Sequence, residues 1–232
     1  MDKKLLLEHG LTDAQSQQFE RYFELLVEWN EKINLTAITE EYDVITKHFL
    51  DCLMCFDSKV IEDGVSVIDV GTGAGFPGIP LKIANPTLNV TLLDSLAKRL
   101  NFLNEVVGEL KLNGITTVHA RAEDGGRDKN LRQKFDVAVS RAVANLSTLS
   151  ELCLPFVKVG GYFVSMKGPG AEDEIAAAKN AIKLLGGELQ EVIHYHIPTT
   201  DLNHNLVIIK KIANTPDKYP RQAPKPAKMP LN

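Results

Sequence analysis

The chain has 232 residues, 44% of them hydrophobic, and a formal net charge of -4. That length builds one large core with small appended elements, and no apolar run approaches the roughly 20 residues that cross a bilayer. Three cysteines, an odd number, fit a reducing compartment better than a disulfide framework, and Met1 to Leu7 lacks the apolar stretch of a secretion signal, so a cytoplasmic protein is expected.

Thr12 is a suitable N-cap for a helix through Asn30, with Phe19, Tyr22, Phe23, Leu26 and Trp29 at spacings of three and four. Such an aromatic stripe predicts core packing. A turn-rich link, Ile33 to Ile38, leads to a second helical pattern from about Glu40 to Phe56. Within it Cys52 and Cys55 form C-x-x-C, but no second pair stands at metal-ligand spacing, so two buried side chains and no metal are expected. Residues 1–62 are expected to form a helical extension packed on a main domain at 63–213.

Val65 to Val70 is an apolar, β-branched run, as a buried parallel strand should be. It feeds Gly71-Thr72-Gly73-Ala74-Gly75-Phe76-Pro77-Gly78, where missing Cβ atoms permit a sharp turn and close approach of a ligand. Gly73, Gly75 and Gly78 satisfy the dinucleotide spacing G-x-G-x-x-G, so NAD chemistry stays open. Against it, Pro77 has no N–H where a phosphate needs donors, Phe76 is apolar, and Asp69 brings negative charge to the strand end. A cationic cofactor without phosphate, S-adenosylmethionine, fits acid, glycines and ring together.

Beyond the loop, strands are expected near 65–70, 89–94, 115–120, 135–140, 160–166, 188–196 and 205–211. Helices fall near 78–84, 96–113, 145–157 and 170–185. This alternation predicts an α/β fold with a seven-stranded, mostly parallel sheet. Asp94 ends the second strand, where a carboxylate can accept from both ribose hydroxyls, with Ser95 left to cap the next helix. Ala122 and Glu123 follow the third strand, where main-chain groups can read an adenine edge. Arg141 ends the fourth. His194 and His196 share one side of a strand pattern without a third ligand.

Charge is unevenly placed: residues 1–64 hold 14 acids and 6 bases, the remainder 16 acids and 20 bases. Only the later part can offer RNA a basic face. From residue 214 to 232 five prolines stand among Lys218, Arg221, Lys225 and Lys228. This predicts an extended basic arm without helix, in which Tyr219 is a stacking group and the cations meet phosphate.

Taken together, Asn34-Leu35-Thr36-Ala37-Ile38, Lys47-His48-Phe49-Leu50-Asp51, the glycine stretch, Leu93-Asp94-Ser95-Leu96-Ala97-Lys98-Arg99, Arg121-Ala122-Glu123, Ser140-Arg141-Ala142, Met166-Lys167-Gly168 and the tail from Tyr219 to Leu231 resemble the bacterial RsmG family, also called GidB. The resemblance runs nearly end to end. It implies a Rossmann-like class I S-adenosylmethionine-dependent methyltransferase that modifies N7 of a single guanine, guanosine 527 in conventional rRNA numbering, of 16S rRNA in the small ribosomal subunit. It further implies cofactor contacts by Gly71, Phe76, Ala122, Glu123 and Arg141, to which the strand-end position adds Asp94; Lys167, Tyr219, Arg221, Lys225 and Lys228 are the RNA contacts expected. A monomer without metal is expected. The family usually has Arg where this chain has Lys47, and Gly where it has Pro224.

Guanine N7 carries a lone pair and no proton, so its methylation needs alignment and water exclusion, with no general base. The sequence offers no nucleophile and base pair. Two other functions remain: an RNA-binding ribosome-assembly protein with a vestigial cofactor site, and an NAD-dependent oxidoreductase.

Overall fold

A computed structural model describes residues 3–141 and 144–231; Ala142 of the motif after the fourth strand lies outside them, as do Met1, Asp2 and Asn232. The elements follow in order: α1 (Lys3–Glu8), α2 (Asp13–Asn30), α3 (Glu41–Val44), α4 (Asp51–Leu53), β1 (Ser66–Val70), α5 (Gly78–Ala84), β2 (Asn89–Asp94), α6 (Ala97–Glu109), β3 (Ile115–His119), α7 (Ala122–Gly125), β4 (Phe135–Arg141), α8 (Leu146–Cys153), β5 (Val157–Lys167), α9 (Ala171–Leu184), β6 (Gly187–His196), β7 (Asn203–Lys211) and α10 (Lys225–Lys228). One sheet has strand order β3-β2-β1-β4-β5-β7-β6. β7 runs antiparallel to both neighbours, and the other pairings are parallel. This is the expected seven-stranded, mostly parallel sheet. Its order reverses between β1 and β4, the position where open α/β sheets bind ligands.

The expected helix of residues 40–56 is segmented. α3 passes into a π-helical stretch, Ile45–Leu50, then α4 and a 3₁₀ turn, Met54–Ser58. Such wide turns are common at functional sites, and here the Lys47 carbonyl accepts from Arg141 Nη1 at 3.1 Å.

Core packing covers both sheet faces. Thr12 caps α2 through a capping box with Gln15, and the aromatic stripe turns inward as its spacing predicts. Phe19 and Tyr22 are fully buried beside Phe49, Phe76 and Phe102, and each such side chain contributes roughly 2 kcal/mol by leaving water. The Tyr22 hydroxyl also donates to the Ala74 carbonyl, so α2 is tied directly to the glycine loop. Cys52 and Cys55 are buried free thiols, whose pKa values burial pushes up. The opposite face carries α8 and α9, with Leu149, Phe156, Ile182 and Phe163 in its cluster.

The tail departs from expectation. Residues 225–228 form a helical turn, and the segment docks on α7 and α8 in place of an extended, solvated arm. Arg127 Nε donates to Pro220 O at 2.8 Å, Arg132 Nη2 to Thr215 O at 2.7 Å, and Thr148 Oγ1 to Pro226 O at 3.2 Å. Proline removes backbone donors without preventing the remaining carbonyls from accepting side-chain donors from the body of the protein.

Candidate cofactor site at the sheet switch point

The site starts where β1 ends. Gly71 and Gly73 have φ of 72° and 61°, a region costly for other residues. The chain turns back so that the N–H groups of Gly71 and Thr72 both donate to Leu93 O, at 2.9 and 3.1 Å. This binds the loop to the end of β2. Gly75 and Gly78 have a different role. A Cβ on Gly75 would lie 2.7 Å from Tyr22 Oη, and one on Gly78 2.5 Å from Leu92 Cδ2. The space expected to admit a ligand at Gly75 is filled by core.

Asp69 also departs from its expected role. Its carboxyl is fully buried, with Oδ2 accepting from Thr72 Oγ1 at 2.7 Å and from Gly78 N at 2.8 Å. The acid ties the two ends of the loop together and does not line the cavity. Burial raises its pKa to about 6, despite these two donors. The Gly78 N–H is thereby spent, and Pro77 has none, so the start of α5 lacks the donors that cradle a pyrophosphate.

Asp94 does face the cavity. Its Oδ2 accepts from Gly73 N at 2.9 Å and Arg99 Nη1 at 3.3 Å, and its Oδ1 from Leu96 N at 2.9 Å. The N-cap of α6 is Leu96, held through its N–H by Asp94, and among the described residues neither Ser95 nor any other side chain caps the helix. A carboxylate has about four lone-pair positions, so capacity for a ribose hydroxyl remains. After β3 the chain forms a short helix, α7, beginning at Ala122. Asp124 N and Gly125 N donate to Arg121 O at 3.1 and 2.9 Å, so helix geometry leaves the N–H groups of Ala122 and Glu123 without intrahelical partners.

Phe76, His48 and Arg141 close the other end. The Phe76 ring lies 4.6 Å from the His48 ring, and the Arg141 guanidinium sits 4.8 Å from the Phe76 centroid. Arg141 Nη1 pairs with Asp51 Oδ2 at 3.2 Å, while Asp51 Oδ1 accepts from Tyr195 Oη at 2.8 Å and His204 Nδ1 at 3.0 Å. Burial alone would raise the Asp51 pKa, but His204 and Arg141 bring it below the ordinary carboxylate value.

His48 Nδ1 lies 3.2 Å from Arg141 Nη2, and its Nε2 lies 2.8 Å from Thr36 Oγ1. Nδ1 also lies 3.1 Å from Lys47 O, so it stands between a donor-only guanidinium and an acceptor-only carbonyl. Burial and the Arg141 charge lower its pKa from 6.5 to about 4. The stability contributed by neutral His48 is therefore full above pH 6.5 and is lost as pH falls toward about 4. Melting temperatures should decline across this window, and His48→Asn, neutral throughout, should remove part of that decline. An identical pH profile in the variant would mean that His48 titrates normally.

Gly71, Phe76, Asp94, Ala122, Glu123 and Arg141 all line one cavity of ≈ 480 Å³. Thr36, His48 and Arg99 join them, with Leu149 and Leu152 as an apolar wall. Thr36, His48 and Arg99 stand in the sequence motifs and Leu149 and Leu152 do not, and nothing in the spacing of any of them marks it as cavity-facing. Acidic, glycine-backbone, aromatic and aliphatic surfaces together fit a nucleoside bearing a cationic sulfonium tail better than a dinucleotide.

The RNA candidates are scattered. Lys167 is buried beside a second cavity. Tyr219 is buried in the core cluster on the α8 side, which leaves no open ring for a base. Arg221 holds the fully buried Glu151, with Nη2 at 2.6 Å from Oε2 and Nε at 2.9 Å from Oε1. Lys225 and Lys228 are exposed. Among the described residues, no group of three or more His, Cys, Asp or Glu side chains is placed to hold a metal, and no helix is long and apolar enough to cross a membrane.

Comparison with known proteins agrees with this geometry. Residues 15–206 match the family model described as GidB, rRNA small subunit methyltransferase G. The chain is 54% identical over 238 residues to the ribosomal RNA small subunit methyltransferase G of Alkaliphilus oremlandii, covering 100% of both. It is 56% identical over 210 residues to that of Clostridium botulinum strain Loch Maree, covering 90% of this chain and 88% of the relative. In fold it is similar to M. jannaschii TYW2 in complex with AdoMet, at TM-score 0.54 and 18% identity, over 70% of this chain and 77% of the other. With the match extending from α2 to the start of β7, the chain belongs to the rRNA small subunit methyltransferase G family.

Proposed function

We propose that this S-adenosylmethionine-dependent rRNA methyltransferase modifies N7 of one guanine of 16S rRNA, acting as a cytoplasmic monomer on the small ribosomal subunit. The observation that carries the reading is the single cavity in which the glycine loop, Asp94, the start of α7 and the Phe76–Arg141 contact converge at the switch point of the sheet.

Bound S-adenosylmethionine supplies an electrophilic methyl group on a sulfonium. The residues do the rest by position. Asp94 accepts from ribose while fixing Gly73 N–H on its other side, and the backbone of Ala122 and Glu123 borders the adenine edge. Phe76, His48 and Arg141 form a packed wall that keeps water from the transfer path. Because Asp51 balances Arg141 at 3.2 Å, the positive charge that develops on a methylated guanine does not meet a bare guanidinium. No group is required to remove a proton.

Calorimetry against S-adenosylmethionine and NAD tests the cofactor half. Binding of the first alone is expected, and Asp94→Ala should weaken it about 10- to 100-fold, the value of a hydrogen bond to a charged group. Tight binding of NAD would overturn the assignment. Exposed Lys225 and Lys228 are proposed to meet phosphate. The double substitution to alanine should reduce the salt slope of rRNA binding by roughly one unit per lost contact, and an unchanged slope would mean that the turn is inert toward RNA.

A further inference from the structure

His48 and Arg141 also line a second cavity, of ≈ 510 Å³, at the carboxyl ends of β4 and β5. Asp51 and His204 belong to this lining and are engaged with Arg141 and with each other, as described above. Lys167 and Glu174 remain. The Lys167 side chain is 7% exposed, and its Nζ lies 2.7 Å from Glu174 Oε2. Lys167 Nζ also donates to Ala144 O at 2.6 Å, and Glu174 Oε2 accepts from Leu146 N at 2.8 Å. An ammonium has one donor more than these two contacts use, and a carboxylate has more lone pairs than the two that Glu174 spends here. A cation donor and an anionic acceptor thus stand side by side at the rim of a cavity that adjoins the cofactor site at His48 and Arg141.

Guanine presents O6, an acceptor, beside N1–H, a donor. Adenine presents the reverse, an amino donor beside an unprotonated N1. Resting on the reading that guanine N7 is the methyl acceptor, we propose that this second cavity receives the target base and that Lys167 and Glu174 identify it as guanine. Lys167 Nζ donates to O6, and Glu174 accepts N1–H. N7 lies on the opposite side of O6 from N1, so it stays clear of Glu174 and faces the border with the cofactor site, where His48 and Arg141 line both cavities. The same arrangement explains why a lysine is buried where a surface cation would suffice for phosphate. Burial removes water from the donor and makes an unmatched base costly.

The test uses the full-length protein and small ribosomal subunits, reconstituted with guanine, inosine or 2-aminopurine at the target position. Inosine keeps O6 and N1–H and should be methylated within about tenfold of guanine. 2-Aminopurine lacks both and should fall at least about 100-fold in kcat/KM. Glu174→Gln should lower kcat/KM for guanine and narrow the inosine to 2-aminopurine ratio, with S-adenosylmethionine affinity unchanged.

Because Glu174 also steadies α8, Gly168→Leu supplies a second probe. Gly168 lines the cavity, and a Cβ there meets nothing within 4 Å. Its added bulk should abolish methylation while leaving the melting temperature and cofactor affinity intact. Wild-type kcat/KM in both Glu174→Gln and Gly168→Leu would overturn the inference. Failure of the wild-type enzyme to produce N7-methylguanine would instead overturn the reading on which it rests.

Discussion

Replacement of Arg221 by alanine is expected to destabilise the protein by about 3–5 kcal/mol while leaving the salt slope of rRNA binding unchanged. Glu151 has a relative exposure of 0%. Its two oxygens accept from Arg221 N, Nε and Nη2 at distances between 2.6 and 3.1 Å. Removing the guanidinium strands an anion inside the protein, and this costs more than the pair contributes when intact. For a chain of this size the loss corresponds to a fall of roughly 10 °C in melting temperature. The double variant Glu151→Leu, Arg221→Met should recover most of it, because neither charge then needs solvating. If Arg221→Ala melted like the wild type but bound rRNA weakly, the arginine would be an RNA ligand and the docked tail a minor state.

Arg141→Ala is expected to have the second large effect, on stability and catalysis together. The side chain joins four groups: Asp51, the Lys47 carbonyl, His48 and the Phe76 face. Its loss leaves Asp51 buried with Tyr195 and His204, at a cost of about 3 kcal/mol. It also removes a side chain that lines both cavities, where N7 must align with the methyl group, so turnover should fall by more than the loss of cofactor affinity accounts for. Arg141→Lys separates charge from shape: a lysine restores an ion pair but cannot serve Asp51, Lys47 O and His48 at once. It should regain most of the stability and little of the turnover. Intact cofactor affinity and turnover in Arg141→Ala would exclude any role for this residue in the site.

The β1–loop–β2 region was legible because its determinants are local. An apolar β-branched run makes the strand, and Gly71 and Gly73 adopt backbone angles that their neighbours avoid. Asp69 shows where local reading stops. An acid at a strand end looks like a ligand contact, but it is consumed by the Gly78 N–H nine residues further on. The tail shows the same at longer range. Its prolines and lysines describe a solvated arm until Glu151, 70 residues away in sequence, claims Arg221. His48 is a third case. Its place between two cavities depends on the path of residues 45–50 and on Arg141, which lies 93 residues later. Side-chain partnership across the fold, more than secondary structure, is what one-dimensional patterns leave out.

The most direct test of the account is nucleoside mass spectrometry of 16S rRNA after small subunits are incubated with the purified protein and isotopically labelled S-adenosylmethionine. Label is expected in one N7-methylguanosine, absent when Gly71→Arg fills the cofactor loop. Label on a ribose 2′-hydroxyl or another base, or no label with either naked rRNA or assembled subunits, would contradict it.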